Sequence, residues 1–170
     1  MSSEKIDLLA KDMNLDFLED EAPEVVKYHG TYKVIIADDD REVHTITKMI
    51  LKSFSFEGKN LTFIDTYSGK ETMEALNRHP DTAVLFLDVV MEESHSGLFV
   101  VDYLRNTLHN HMTRIILRTG QPGEAPEDKV IRDYDINDYR LKTDLTVQRL
   151  NTSLYAALRS YRDIMQLERN

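Results

Sequence analysis

The stretch Ala83-Val-Leu-Phe-Leu-Asp88 (AVLFLD, residues 83–88) decides the fold. Its apolar residues lack the alternation of a strand that shows one face to water, and they run straight into a carboxylate. A short continuous run of this kind reads as a central strand covered on both faces. Outward from it, further β-rich segments fall at Tyr32–Ala37, Leu61–Thr66, Arg114–Arg118 and Asn137–Leu141. Helical stretches separate them at Arg41–Phe54, Ser68–Arg78, Gly97–Leu108 and Glu127–Tyr134, and a long last helix begins at about Leu145. Ser68-Gly-Lys-Glu71 has capping-box spacing and fixes the start of the second helix. Strands alternating with helices predict βαβ units and a parallel sheet. The expectation is a doubly wound α/β domain of five parallel strands in the order 2-1-3-4-5, over residues 31–158. An appendage over residues 1–30, a short helix or a partly disordered segment, precedes it, and a helical extension over 159–170 follows.

In open parallel sheets, ligands bind beyond the carboxyl ends of the strands, where strand order reverses. Two strands here end in carboxylates, VIIA in Asp38-Asp39-Asp40 and AVLFL in Asp88. With the first and third strands adjacent, Asp38, Asp39 and Asp88 converge. Crowded carboxylates repel one another, and a hard divalent cation removes that repulsion. Magnesium suits the site best, with manganese as an alternative, because it takes oxygen ligands and is often shared with a phosphate. The fourth strand ends at Thr119-Gly120, a hydroxyl followed by a residue small enough to let a ligand approach the backbone. The fifth ends at Lys142, a cation able to reach a phosphate oxygen. Carboxylate, metal, hydroxyl and ammonium around one point make a phosphoryl-transfer site, with a carboxylate as nucleophile. Asp40 reads as a helix cap.

Composition narrows the rest. A net charge of −9 over 170 residues disfavours a nucleic-acid partner, which would need clustered Lys and Arg. The absence of cysteine excludes disulfides and thiolate chemistry. The first residues carry no basic stretch followed by an apolar core, and the longest apolar runs are too short to span a bilayer. A cytoplasmic protein with no membrane partner is expected, and the 41% hydrophobic content is enough for one sizeable core.

On these residues the chain resembles the receiver domain of bacterial two-component response regulators, which has a flavodoxin-like fold. VIIADDDREVH, LFLDVVM with Gly97 following, IILRTG and DINDYRLK carry the resemblance, which covers roughly Lys33 to Leu158. It implies that Asp88 is the phosphoacceptor, that Asp38, Asp39, Asp88 and the main-chain carbonyl of Val90 bind the metal, that Thr119 is the switch hydroxyl, Tyr139 the aromatic switch and Lys142 the phosphate-binding lysine. It also implies a sensor histidine kinase or phosphotransfer protein as partner. Such a module is not an enzyme, beyond taking a phosphoryl group from a donor and slowly losing it to water.

The sequence departs from the common receiver pattern after Asp88, where Met91-Glu92 replaces Met-Pro and the loop to Gly97 is one residue longer. The turn-rich Gly120-Gln-Pro-Gly123 predicts a late or short fourth helix. Thr143 stands where a proline usually follows the lysine; a cis bond costs a non-proline residue roughly 2.5–4 kcal/mol, so trans is expected. DVVME, RIILRTGQPGEAP and YDINDYRLKTDLT resemble receivers found ahead of cyclic-di-GMP-metabolising domains of the HD-GYP, GGDEF or EAL kind. That resemblance implies a C-terminal output domain in a longer protein.

Val147, Leu150, Leu154, Ala157, Tyr161 and Ile164 follow a heptad seam, which Leu158 and Met165 widen. The first half must pack on the sheet, while the part beyond Leu158 is expected to project past it as a signalling coil or homodimer contact, with Leu154, Leu158, Tyr161, Ile164 and Met165 as the dimer or output residues. Arg118 faces either the site or the solvent. His109 and His111 read as a surface pair, and the other histidines as generic surface or cap residues. Two other functions compete: a degenerate receiver kept for assembly, and a haloacid-dehalogenase-like phosphatase. The phosphatase motif fails, because Asp38-Asp39-Asp40 is followed by Arg41-Glu42.

Overall fold

Strand β1 spans Tyr32–Ala37, β2 Leu61–Thr66, β3 Thr82–Asp88, β4 Arg114–Thr119 and β5 Asp138–Leu141. They pair in parallel in the order β2-β1-β3-β4-β5. A computed structural model supplies these coordinates and describes residues 30–93, 95–120, 127–142 and 146–169. The appendage expected over residues 1–30 lies, but for Gly30, outside the described residues. So does Thr143, and with it the expected trans peptide.

Every residue of β3 is buried, as its unbroken apolar run requires of a central strand. One face of the sheet packs Ile35, Leu85, Leu87 and Leu117 against the helices α2 (Gly69–Arg78) and α3 (Ser96–Asp102). The other packs Val34, Ile36, Phe86 and Ile116 against Leu51, at the end of helix α1 (Arg41–Ile50), and Leu150, Leu154 and Leu158 of helix α5 (Val147–Arg169). Helix α4 spans Glu127–Tyr134, and the turn-rich stretch expected to delay it lies, but for Gly120, outside the described residues. Each fully buried aliphatic side chain contributes about 1.5–3 kcal/mol.

The caps follow the sequence. Asp40 Oδ1 accepts from the Glu42 amide at 2.9 Å, and Ser68 Oγ from the Glu71 amide at 3.1 Å. Glu71 returns the contact by accepting from the Tyr67 amide at 2.8 Å.

Two helices differ from expectation. Helix α1 stops at Ile50, short of Phe54, because Phe54 and Phe56 are both buried in the α5 layer. Residues two apart cannot share a helix face, so the chain must leave the helix to point both inward. Beyond Asp102, the third helix widens into a π-helical turn, Tyr103–Thr107, closed by the Leu108 amide donating to the Tyr103 carbonyl. The wider turn brings Leu104 and Arg105 inward together.

The last helix corrects the seam reading. Leu154, Leu158 and Tyr161 are buried in this chain's own core, with Tyr161 edge-on to Tyr32 and donating to the Asp81 carbonyl. The helix therefore packs on the domain beyond Leu158. Ile164 and Met165 are half-buried, and Leu167 is 74% exposed. Within the described residues, no helix is long and apolar enough to cross a membrane.

Candidate functional site

Strands β1 and β3 are neighbours, and their last residues bring Asp38 and Asp88 to one point beyond the sheet. Both side chains are nearly inaccessible, while Asp39 stands exposed at the rim. Carboxylate oxygens from the three lie within 4.8 Å of one another. Lys142, just past β5, reaches across β4 to this point. Its Nζ donates to Asp88 Oδ2 at 2.8 Å and lies 2.9 Å from Asp38 Oδ2.

The electrostatics follow from that crowding. Burial, against the bond from Lys142 and reinforced by the Asp38 charge, pushes the Asp88 carboxyl up to about 6. Burial pulls Lys142 down, but the two aspartates outweigh it and leave the ammonium raised. Asp38 Oδ2 accepts no aligned hydrogen bond despite the nearby ammonium, and Asp38 Oδ1 accepts from the Asp40 amide at 2.9 Å.

The loop after β3 is built to hold Asp88 in place. The Val90 amide donates to Asp88 Oδ1 at 3.2 Å. Gly97 lets α3 start against β3: a Cβ there would lie 2.2 Å from the Asp88 carbonyl oxygen. Glu92, at the unusual position, accepts from the Gly69 amide through both oxygens at 2.9 Å, tying the loop to the start of α2. A carboxylate at a helix N-terminus is favourable, so the loop exchanges a rigid proline for an ionic anchor.

The remaining residues singled out from the sequence fall around this centre. Thr119 is fully buried at the end of β4, one residue past the position paired with Asp88. Tyr139 is buried on the α2–α3 face beside Leu117 and Ile136. Gly120 is under no steric demand: a Cβ there would meet only Lys142 Cδ, at 3.8 Å. His109 and His111 are exposed, as expected of a surface pair.

Two residues escaped the sequence reading. His44, taken there for a generic histidine, is buried behind the site. Its Nε2 donates to the Asp38 carbonyl and its Nδ1 faces Asp65 Oδ1, each at 2.7 Å. The ring also stacks on Tyr67 at 4.5 Å between centroids, so it props the β1 end from behind. Arg118 faces neither solvent nor an open site; it is 2% exposed beneath the acidic pair.

A magnesium ion fits this donor set. The ligand atoms are hard oxygens, their spread is close to the roughly 4.2 Å across an octahedral site, and the ammonium already shows that a cation is held between Asp38 and Asp88. Asp38 Oδ2 faces only the Lys142 ammonium at 2.9 Å, with no aligned hydrogen bond, so it is placed to ligate.

The five-stranded parallel sheet in the order β2-β1-β3-β4-β5 is the CheY-like, flavodoxin-like fold seen in receiver domains of response regulators. A signal receiver domain of an HD domain-containing protein from Pseudomonas fluorescens Pf-5 superposes with a TM-score of 0.67 at 16% identity, covering 84% of this chain and 98% of that one. A chain of the CheX-CheY-BeF3-Mg+2 complex from Borrelia burgdorferi gives 0.61 at 18% identity, covering 74% of this chain and 87% of that one. At these identities the likeness concerns the fold alone. In sequence, the chain is 42% identical over 163 residues to a 3'3'-cGAMP-specific phosphodiesterase 2 of Vibrio cholerae. The match covers 96% of this chain and 31% of that protein, so the chain spans about a third of the relative's length. No family model matches the chain.

Proposed function

We propose that the chain is a phosphoacceptor receiver module, phosphorylated on Asp88 in a magnesium-dependent reaction. The observation that carries this reading is the Lys142 ammonium bridging Asp38 and Asp88 beyond adjacent strands. A buried carboxylate bridged by an ammonium, with a strand-end hydroxyl on neighbouring β4, has the parts that phosphoryl transfer uses, which are positioning and charge neutralisation.

Asp38, Asp39, Asp88 and the Val90 carbonyl would hold the magnesium ion. When bound, the ion neutralises charge on the phosphoryl oxygens. A carboxylate oxygen of Asp88 forms the new P–O bond as the bond from phosphorus to the donor's leaving group breaks, and the leaving group departs with the electron pair. Lys142 exchanges its Asp88 contact for a phosphoryl oxygen. Thr119 turns its hydroxyl toward the same group, and Tyr139 follows, repacking the β4–β5 face. Water later attacks the phosphorus, the P–O bond to Asp88 breaks, and inorganic phosphate leaves as the carboxylate is restored; Val90 offers that water no polar group.

The module is cytoplasmic in this reading and takes its phosphoryl group from a sensor histidine kinase or a phosphotransfer protein. Its repacked face controls a C-terminal output domain. The phosphodiesterase relative supports an output that acts on cyclic dinucleotides. Any homodimer contact falls on the tip of α5 beyond Tyr161, since the earlier seam is occupied by the core.

Incubation with acetyl phosphate, with and without magnesium, followed by intact mass measurement tests the reading. One added phosphoryl group is expected with magnesium, and none in Asp88→Asn. Modification independent of magnesium, or retained in Asp88→Asn, would contradict it.

A further inference from the structure

Arg118 heads the large side chains that are wholly enclosed. It pairs in register with Asp88 across β3 and β4, and paired positions on parallel strands present side chains to the same face. Its guanidinium therefore lies in the layer beneath Asp38 and Asp88. There its Nη1 donates to Thr47 Oγ1 of α1 at 3.0 Å, and its carbon sits 4.8 Å over the Phe86 ring. Neither Nε nor Nη2 has an acceptor among the described residues.

An enclosed guanidinium with two idle donors is costly, because desolvation is compensated only by a well-placed anion. Packing alone does not call for it, since a leucine or methionine would fill the space without that penalty. The anions whose fields act on it are Asp38 and Asp88, and burial still leaves it lowered only to about 10, so it stays charged. A permanent positive charge is thus fixed under the acidic pair.

We propose that Arg118 is a built-in counter-cation that weakens metal binding to the resting site and favours the phosphoryl-bearing site. The inference rests on the phosphoacceptor reading of Asp88. Charge balance gives its sign. Three carboxylates against Lys142 and Arg118 leave one excess negative charge. A divalent cation turns that into one excess positive charge, and a dianionic phosphoryl group replacing the carboxylate charge makes the site neutral. Without Arg118, the metal-loaded site is neutral and the phosphorylated one carries an uncompensated charge. In a poorly solvated site the neutral state is preferred. Arg118 thus shifts the neutral point from the metal-bound site to the phosphorylated one.

The test titrates the full chain with Mg2+ by calorimetry or amide shifts, then with beryllofluoride at saturating Mg2+. For Arg118→Met, Mg2+ affinity is expected to rise about tenfold and beryllofluoride affinity to fall about tenfold, the size of one unit charge at several ångströms in a partly screened interior. Arg118→Gln keeps a donor for Thr47, deletes the charge, and should give the same two signs if Arg118→Met does not fold. Arg118→Lys should remain near wild type in both. A purely structural role moves both affinities down together or neither, and either result overturns the inference. If wild type takes neither beryllofluoride nor a phosphoryl group, the phosphoacceptor reading fails; unchanged or weaker Mg2+ binding in the charge-deleted variants then sinks the counter-cation role as well, and tighter binding retains it for the metal alone.

Discussion

Three arginines are buried among the described residues, and two of them, Arg105 and Arg118 at opposite ends of the sheet, are treated in opposite ways. Arg105, at the amino-terminal end, is 4% exposed and surrounded by acceptors. Its Nε donates to the Asp135 carbonyl at 3.2 Å and lies 3.3 Å from Asp135 Oδ2. Its Nη1 donates to the Asn110 and Thr113 carbonyls at 3.0 and 2.8 Å, and its Nη2 to Asn137 Oδ1 at 3.4 Å. Arg118, at the carboxyl end, has one hydrogen bond and an aromatic ring. Burial lowers both to about 10. Arg105 closes a loop and finishes its own hydrogen bonding. Arg118 sits where bonding is left incomplete, and an incomplete polar layer is where a ligand can add stability that the fold itself does not supply.

The strongest way to break this comparison is to delete each cation in turn. Arg105→Met should cost about 3–5 kcal/mol in urea denaturation, because it strands the carbonyls of Asn110 and Thr113 without a donor. Arg118→Met should cost about 1 kcal/mol or less in the metal-free protein. Equal losses would mean that both arginines are structural.

A second pair sharpens the contrast within the acidic end. Gly97→Ala drives a methyl into the Asp88 carbonyl, 2.2 Å away, and should destabilise by about 2–4 kcal/mol. Gly120→Ala, whose methyl meets only Lys142 Cδ at 3.8 Å, should change stability by less than about 0.5 kcal/mol. A thermal melt of each variant decides it.

Removing the charge from Asp88 should stabilise the metal-free domain. Asp88 keeps its proton up to about pH 6 when folded, whereas the unfolded chain loses it near pH 4. The native state binds more protons in that window, so stability falls as pH rises through it and is level above. Asp88→Asn should therefore gain about 1–2 kcal/mol over wild type at pH 7 without metal, and the gain should vanish below about pH 4. The smallest effect concerns the metal itself. Because the ion must displace that proton, Mg2+ affinity should drop about twofold between pH 7 and pH 6, and about tenfold by pH 5.

The strands were legible nearly to the residue, because β1 and β3 run apolar until they meet a carboxylate and the turn residues bracket them. Asp38, Asp88 and Lys142 could be brought together from topology alone, since each follows directly on a strand of known order. What the sequence withheld depends on register. Whether Arg118 points in or out turns on its pairing with Asp88, which no local pattern states. His44 was passed over because its partners, Asp65 and the Asp38 carbonyl, come from two different strands. How far the α5 stripe stays on the sheet was not legible for a related reason, since Tyr161 beyond Leu158 is still buried against Tyr32 and a heptad stripe looks the same whether it meets a second helix or the chain's own sheet.

The central claim is that the buried carboxylate at the end of β3 becomes the acyl phosphate. Borohydride reduces an aspartyl phosphate to homoserine and leaves free carboxylates intact. After treatment with acetyl phosphate and magnesium, peptide sequencing of the reduced protein should find homoserine at position 88. Homoserine at position 38 or 39, or none in a protein that still binds Mg2+, would contradict the account.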